Sequence, residues 1–431
     1  MLNNRVFKNA TWIIVAQIVK SIIGFVITML TARYLGPSNY GLINYASSVV
    51  AFVTPLLYLG FTGILVQEIV INPEKEGETL GTAIVLSLVS SIFCICGILA
   101  VVSLINSGEK VTIIVCALYS VLLVFQSIEL IVYWFQAKLL SKYSSVVMLI
   151  AYFIVSLYKV YLLVTSKSVR WFAISNAIDY FIIAIALLII YRKLGGQNLS
   201  FSKKKAADLL AKGKYYIVSD MMVTVFAQTD RIMLKLMISD AAVGYYSAAV
   251  SCAGMTGFVF SAIIDSFRPA IFEKKQLDSH TYETYVCRLY SIIIYLSLIQ
   301  SVIISAFSPL IVNIVYGSDY APTISVLKLI VWYTTFSYMG GARNIWILSE
   351  GLQKYLWMIN LSGVIANILL NSMLIPCWGA MGAAFASVVT QFFTNFVLGF
   401  VLKPIRANNK LILKSLNVKC ILEPLINDLR R

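Results

Sequence analysis

Apolar runs of about 20 residues recur along the whole chain, each long enough at ~1.5 Å per residue to cross the ~30 Å hydrocarbon core of a bilayer. The pattern predicts twelve helical spans, near residues 10–31, 41–63, 80–104, 112–135, 145–165, 170–191, 215–238, 242–265, 288–307, 322–346, 355–375 and 380–402. Spans of similar length at even spacing leave no room for a folded soluble domain; the longest internal connection is about 191–214. The pattern also repeats. About 212 residues separate Trp134, Lys142 and Tyr143 from Trp346, Lys354 and Tyr355, and each group lies between two long apolar runs. Met29-Leu30 and the stretch from Gly41 to Ser47 match Met233-Leu234 and the stretch from Gly244 to Ala249, at an offset of about 204. The predicted fold is therefore all-α and membrane-integral. It has two pseudo-symmetric six-helix bundles, residues 1–192 and 215–403, joined by a basic linker at 193–214 and followed by a basic tail at 404–431. Doubled bundles around a central cavity are a common build of alternating-access transporters.

Polar positions inside the apolar runs carry the functional signal. On the first span Gln17, Lys20, Ser21, Gly24, Thr28 and Thr31 fall at steps of three and four, one face of a helix. Lys20 sits about ten residues in, near mid-depth, where an ammonium costs at least ~2.5–3.5 kcal/mol without a partner or water. On the seventh span Asp220, Thr224, Gln228, Arg231 and Lys235 step by four, four, three and four. The repeat offset places Lys20 on Thr224, Gly24 on Gln228 and Thr31 on Lys235, so the two stripes agree in phase. Gln17, Lys20, Thr28, Gln228, Arg231 and Lys235 are predicted to line one cavity, with Lys159 and Arg343 as further cationic lining. Asp220, Asp179, Glu129, Asp265 and Arg268 are the coupling or gating candidates. A pairing of Glu129 with Lys159 is one way to neutralise that lysine. The blander account of every one of these charges is a structural ion pair, and for Asp265 and Arg268 a surface i,i+3 pair. Cations outnumber acids across the predicted lining, which suits an anionic substrate and opposes a cationic one.

Charge between the spans sets the orientation. The sixth connection holds Arg192, Lys193, Lys203, Lys204, Lys205, Lys212 and Lys214; the eighth holds Arg268, Lys274 and Lys275; the tail holds Lys403, Arg406, Lys410, Lys414 and Lys419. The odd connections hold few cations. Both termini and the even connections are therefore predicted to be cytoplasmic. The acidic segment 72–79 is the one dissenting even connection. These loops account for the net charge of +15 in a chain that is 60% hydrophobic and 12% charged. Anionic lipid headgroups are a fitting partner for them, and nucleic acid is not, because no basic soluble module exists. The start of the chain reads as a full-length span without a small-residue cleavage site.

Catalytic signatures are missing. The chain has no Gly-x-x-x-x-Gly-Lys-Ser/Thr, no Gly-x-Ser-x-Gly and no His-Glu-x-x-His. Its seven cysteines are scattered, its single histidine, His280, has no partner in sequence, and no metal or cofactor is predicted. No residue is assigned a catalytic role. Pro55, inside the second span, is predicted to kink it.

Three stretches carry a family resemblance. Ala32 to Gly41 (Ala-Arg-Tyr-Leu-Gly-Pro-Ser-Asn-Tyr-Gly) resembles the loop after the first helix of bacterial polysaccharide flippases, the O-antigen and capsule repeat-unit transporters. Asp230-Arg231 with Val243 to Ala249 is similar to that family's seventh-to-eighth-helix motif. Asn367, Asn371, Ile375-Pro376, Gly379 and Gly382 are similar to its eleventh-to-twelfth-helix motif. The resemblance runs along the whole chain. It implies membership of the multidrug/oligosaccharidyl-lipid/polysaccharide exporter superfamily, with the double bundle of its multidrug branch. It further implies that the chain flips undecaprenyl-diphosphate-linked oligosaccharide to the outer face of the cytoplasmic membrane, without catalysis. Glycosyltransferases and a glycan polymerase are the implied partners, and H⁺ or Na⁺ the implied coupling ions. The alternatives are a multidrug exporter of the same superfamily and, from another class, a membrane-embedded glycan polymerase or ligase. The last would need long outer loops, whereas the predicted odd connections are about 5–10 residues each. Scanning cysteine labelling from outside intact cells should mark only short segments between spans; a long labelled outer loop would restore the enzyme reading.

Overall fold

A computed structural model describes residues 2–417, with side chains from residue 18 onward. Among the described residues every regular element is helical. The first helix, α1 (Leu2–Tyr58), is broken at Gly36, whose φ of 70° and ψ of 172° are open to glycine and not to a side-chain-bearing residue. Pro37 follows, so the break separates two spans. Pro55, by contrast, sits in α1 without any departure from helical angles. There follow α2 (Leu65–Ile71), α3 (Glu76–Ile105), α4 (Lys110–Ser120), α5 (Leu122–Glu129), α6 (Val132–Ala137), α7 (Ser141–Val164) and α8 (Val169–Lys193). The next are α9 (Lys203–Met237), α10 (Asp240–Gly254), α11 (Gly257–Leu277), α12 (Ser279–Ala306), α13 (Ser308–Val315) and α14 (Ala321–Ser349). The last are α15 (Leu356–Trp378), α16 (Ala380–Phe392), a π-helical turn (Phe393–Val397), α17 (Leu398–Val401) and α18 (Arg406–Ser415).

Among the described residues eight helices are long and apolar enough to cross a membrane, or nine when α10 and α11, bent by 44°, are one span. The break in α1 adds another. Helices α9 and α14, of 35 and 29 residues, are long enough to cross but more polar: α9 carries Asp220, Gln228, Asp230 and Arg231, and α14 carries Lys328 and Arg343 among several Thr, Ser, Tyr and Gly residues. With them the predicted twelve are all present as helices. Their outward faces are apolar: Leu104 and Val164 are each 79% exposed and Phe93 is 73% exposed, which suits hydrocarbon and not water.

The chain forms two compact units that divide between Ile232 and Met233, inside α9. The predicted linker at 193–214 therefore belongs to the first unit, and it is folded against it. Ser200 N donates to Gly77 O (3.3 Å), Ser202 N to the Thr82 hydroxyl (3.0 Å), and Gln197 Nε2 to Pro73 O (3.0 Å). Gly213 lies so close to the second span's end that a Cβ there would collide with Leu59 O. Electrostatics add to this. Glu68 accepts from Lys205 and Lys212, both at 2.6 Å, and Lys212 also reaches Asp208 at 3.0 Å. Burial pushes the Glu68 carboxyl up, but the two lysines outweigh it and hold it below the ordinary range. Within the dissenting acidic segment, Glu76 bridges Lys138 at 2.7 Å. Glu68 and Glu76 thus sit among the basic connections at one end of the unit, as counter-charges to them.

The internal repeat is visible in the backbone. Helix α6 ends with Lys138 N donating to Trp134 O and Leu140 N to Phe135 O, around Leu139 at φ 55°. Helix α14 ends with Glu350 N donating to Trp346 O and Leu352 N to Ile347 O, around Gly351 at φ 70°. This is the left-handed helix stop that satisfies the last free carbonyls, at the 212-residue offset. Next to each stop lies an ion pair of inverted polarity: Glu76 with Lys138 in the first unit, Lys275 with Glu350 at 2.6 Å in the second. Each ties the end of a fourth span to the junction of the second and third spans of its bundle.

The second unit buries a core around Tyr290, Ile293, Ile345, Trp346 and Ile412. Part of the basic tail predicted at 404–431 contributes to it. Tyr290 donates to Asn408 Oδ1 and Ser291 to Ser415 O, each at 2.6 Å, so α18 is docked along α12. Residues 418–431 of the predicted tail lie outside the described residues.

The swapped polarity between the units makes a testable statement about the first. Glu76→Lys should lower the melting temperature of the detergent-extracted protein by a few degrees, a loss of about 1–2 kcal/mol given that Lys138 is 36% exposed. Adding Lys138→Glu should restore most of it. Failure of the double variant to recover would mean that the polarity is set by other neighbours.

Candidate functional site

The intramembrane charges of the first bundle converge. Glu129 is one carboxylate that the sequence offers to neutralise Lys159; in the folded chain Lys159 is in electrostatic range of Asp179 and donates to Asn176 Oδ1 at 3.5 Å. Lys20 lies in electrostatic range of both Glu129 and Asp179, with its ammonium 5.3 Å above the Tyr152 ring. Glu129 also pairs with the Tyr58 hydroxyl. All four charged side chains are half-buried. Local periodicity positions them. Gln126, Glu129 and Tyr133 step by three and four; Met148, Tyr152 and Lys159 share one face of α7; Asn176 and Asp179 are three apart on α8. At the joint of α5 and α6 the chain tightens to i→i+3 bonds, Ile131 N to Ile128 O and Tyr133 N to Leu130 O.

Beside this cluster lies a cavity of about 210 Å³ lined by Tyr58, Glu129, Leu130, Val132, Tyr133 and Met148. Asp220 of α9 is in electrostatic range of Tyr133. Tyr58, Tyr133 and Tyr152 were not legible as site residues, because an aromatic ring in a span has the same periodicity whether it faces lipid or a polar neighbour.

The other predicted residues go elsewhere. Arg231 Nη1 donates to Gln228 Oε1 at 3.1 Å, so the two members of the α9 stripe share a face as predicted. Lys235, 8% exposed, is bound to Asp240 at 2.9 Å across the turn from α9 to α10. Arg343, 6% exposed, donates from Nη1 to Thr394 O at 2.6 Å and holds the π-helical turn; it is a prop of the second bundle's interior. Asp265 and Arg268 pair at 3.0 Å with side chains 63% and 51% exposed, the surface pair of the blander account. Thr28 is half-buried on α1, and the side chain of Gln17 lies outside the described residues. The predicted excess of cations is thus not carried by the cluster. Lys20 and Lys159 face Glu129 and Asp179, while Lys235 and Arg343 are engaged elsewhere. Among the described residues there is no His/Cys/Asp/Glu group arranged to hold a metal ion.

A family model described as polysaccharide biosynthesis protein matches residues 6–275. The chain is 26% identical over 278 residues to an uncharacterized membrane protein of Methanocaldococcus jannaschii, covering 60% of this chain and 52% of that protein's length. It is 21% identical over 398 residues to the capsular polysaccharide biosynthesis protein CapF of Staphylococcus aureus, covering 89% and 96%. Among solved structures the fold is similar to the lipid II flippase MurJ in an inward closed conformation, with a TM-score of 0.71, 14% identity, and 96% and 92% of the two chains covered. It is also similar to an inward-facing multidrug resistance MATE family transporter of the MOP superfamily, with a TM-score of 0.64, 13% identity, and 92% and 96% covered.

The convergence of Lys20 with two carboxylates decides what its loss does. Lys20→Met leaves Glu129 and Asp179 without their shared cation in a low-dielectric bundle, so less folded protein should be recovered. Glu129→Gln in the same chain should bring the yield back, read by size-exclusion of the detergent extract as a double-mutant cycle. Wild-type yield for Lys20→Met alone, with transport lost, would favour the cavity-lining cation instead.

Proposed function

The chain belongs to the polysaccharide biosynthesis protein family, and from that membership we propose that it is a flippase for lipid-linked oligosaccharides. In this reading it turns undecaprenyl-diphosphate-linked repeat units from the cytoplasmic to the outer face of a bacterial cytoplasmic membrane by alternating access. No bond is made or broken. The observation that carries the reading is the family match, which runs through the first bundle and into the second. Similarity to CapF along 96% of that protein and a fold shared with a lipid II flippase support it.

The physics of the cargo fits a multi-pass bundle with polar interior groups. A sugar hydroxyl moved into hydrocarbon without a partner costs several kcal/mol. Glu129, Asp179, Lys20 and Lys159 supply hydrogen-bonding groups at membrane depth that such a path needs. The lipid tail needs no such help and can remain in the bilayer. In this reading the basic connections and α18 face the cytoplasm, with both termini on that side, as the positive-inside rule favours. Glycosyltransferases then build the cargo on that side and a glycan polymerase consumes it outside. Of the coupling candidates, Glu129, Asp179 and Asp220 are the ones that a proton or Na⁺ gradient would act on.

The test is complementation. Expressed in a host lacking its own repeat-unit flippase but retaining the glycan assembly enzymes, the protein should restore surface polysaccharide and clear the lipid-linked intermediate from the inner leaflet. Drug resistance in a pump-deficient host, with no change in surface glycan, would overturn the reading in favour of the multidrug branch.

A further inference from the structure

The cavity beside Glu129 has the chemistry of a carbohydrate subsite. We propose that it takes one neutral pyranose ring of the transported oligosaccharide while the cargo is being loaded from the cytoplasmic side. This deepens the flippase reading and rests on it. Three observations point there. The first is size: about 210 Å³ is room for a single sugar ring. The second is the lining. Two tyrosines, Tyr58 and Tyr133, flank one carboxylate, Glu129, with Leu130, Val132 and Met148 as apolar wall. Sugar recognition needs that combination, because a pyranose ring presents apolar C–H faces that pack on aromatic rings and a rim of hydroxyls that donate to a carboxylate. A purely hydrophobic ligand would leave the carboxylate's remaining acceptor capacity and the tyrosine hydroxyls unused.

The third observation is place. Glu129 is nine residues before Lys138, so about 13 Å along the helix from the end that carries the Glu76–Lys138 bridge and the basic connections. Tyr58 closes α1 at the same end, just before the Gly60–Gly213 contact. The cavity is therefore about two and a half turns inside the end predicted to be cytoplasmic, where cargo is loaded. The i→i+3 bonds at the joint of α5 and α6 give that joint a tighter winding than its neighbours, and Glu129 and Tyr133 on its two sides both line the cavity. Lys20 and Tyr58 already engage Glu129, which orients the carboxylate and leaves it acceptor capacity for a hydroxyl. With Lys20 balancing Glu129 the wall offers hydrogen bonds and no net charge, so the ring that fits it is a neutral one.

Saturation-transfer NMR on the full-length protein in nanodiscs tests this directly. The probes are the methyl α-glycosides of glucose, galactose, mannose and N-acetylglucosamine, with glucuronate as the acidic counterpart. At least one neutral glycoside should show transfer, and glucuronate should not. Met148→Trp, which fills the cavity without touching a charge, should cut that signal by about fivefold or more, the loss expected when a site's hydrogen bonds are denied. Tyr133→Ala should do the same and Tyr133→Phe should keep most of it. Glu283→Gln, at a surface pair with Lys414, should leave it unchanged. No transfer from any neutral glycoside, or transfer that survives Met148→Trp and Tyr133→Ala, overturns the subsite. Complementation keeps the two readings apart. Restoration of surface glycan by the wild type and equally by Met148→Trp would sink the subsite and leave the flippase standing. Glycoside binding lost in Met148→Trp, with no complementation by the wild type, would sink the flippase and leave a sugar site.

Discussion

No water is available at mid-membrane to solvate a backbone amide or a charge, and the rest of the structure follows from that constraint. It makes every span a helix, since only a helix bonds its own amides. It makes every intramembrane charge seek a partner, since a lone one costs several kcal/mol. The first bundle meets the second demand with a balanced set, two lysines against two carboxylates, surrounded by tyrosine hydroxyls and amides rather than by hydrocarbon alone. A set of that kind is close to neutral as a whole and still rich in donors and acceptors. It can meet a polar, uncharged cargo group by group without presenting a net field to it.

At the membrane surface the constraint relaxes, and the chain uses charge differently. There the ends of helices are tied by ion pairs whose polarity is free to invert, as Glu76–Lys138 and Lys275–Glu350 show. What the two halves share is the geometry of the helix stop. Leu139 occupies the left-handed position that Gly351 occupies in the second half, although a Cβ there carries a steric cost. The backbone bonds that close the last turn outweigh the preference for glycine at that position. The acidic turn before α3 obeys the same logic. Its Glu76, and Glu68 of α2, answer lysines that the positive-inside rule places nearby, and the strap from Gln197 to Gly213 is part of the first unit.

Much of this was legible in the sequence. Spans, their number, the offset of the repeat and the basic ends all follow from periodicity and composition, because each depends on residues close together in the chain. The stripes on α1 and α9 were read in the same way, and the Gln228–Arg231 contact is a local one. Which charge meets which was not legible. Lys20 and Glu129 are over a hundred residues apart, and their meeting depends on how α1 and α5 are rotated against each other. Rotation is set by packing of whole helix faces, which a single-helix period does not encode. Arg343 shows the same limit from the other side. Its stripe position gave no sign that the Thr394 carbonyl, freed by a π-helical turn fifty-one residues later, would claim the guanidinium. Sequence determined the elements and their polarity, for local reasons. Tertiary structure alone decided the partners, because partnership between helices is a property of surfaces and not of spacing.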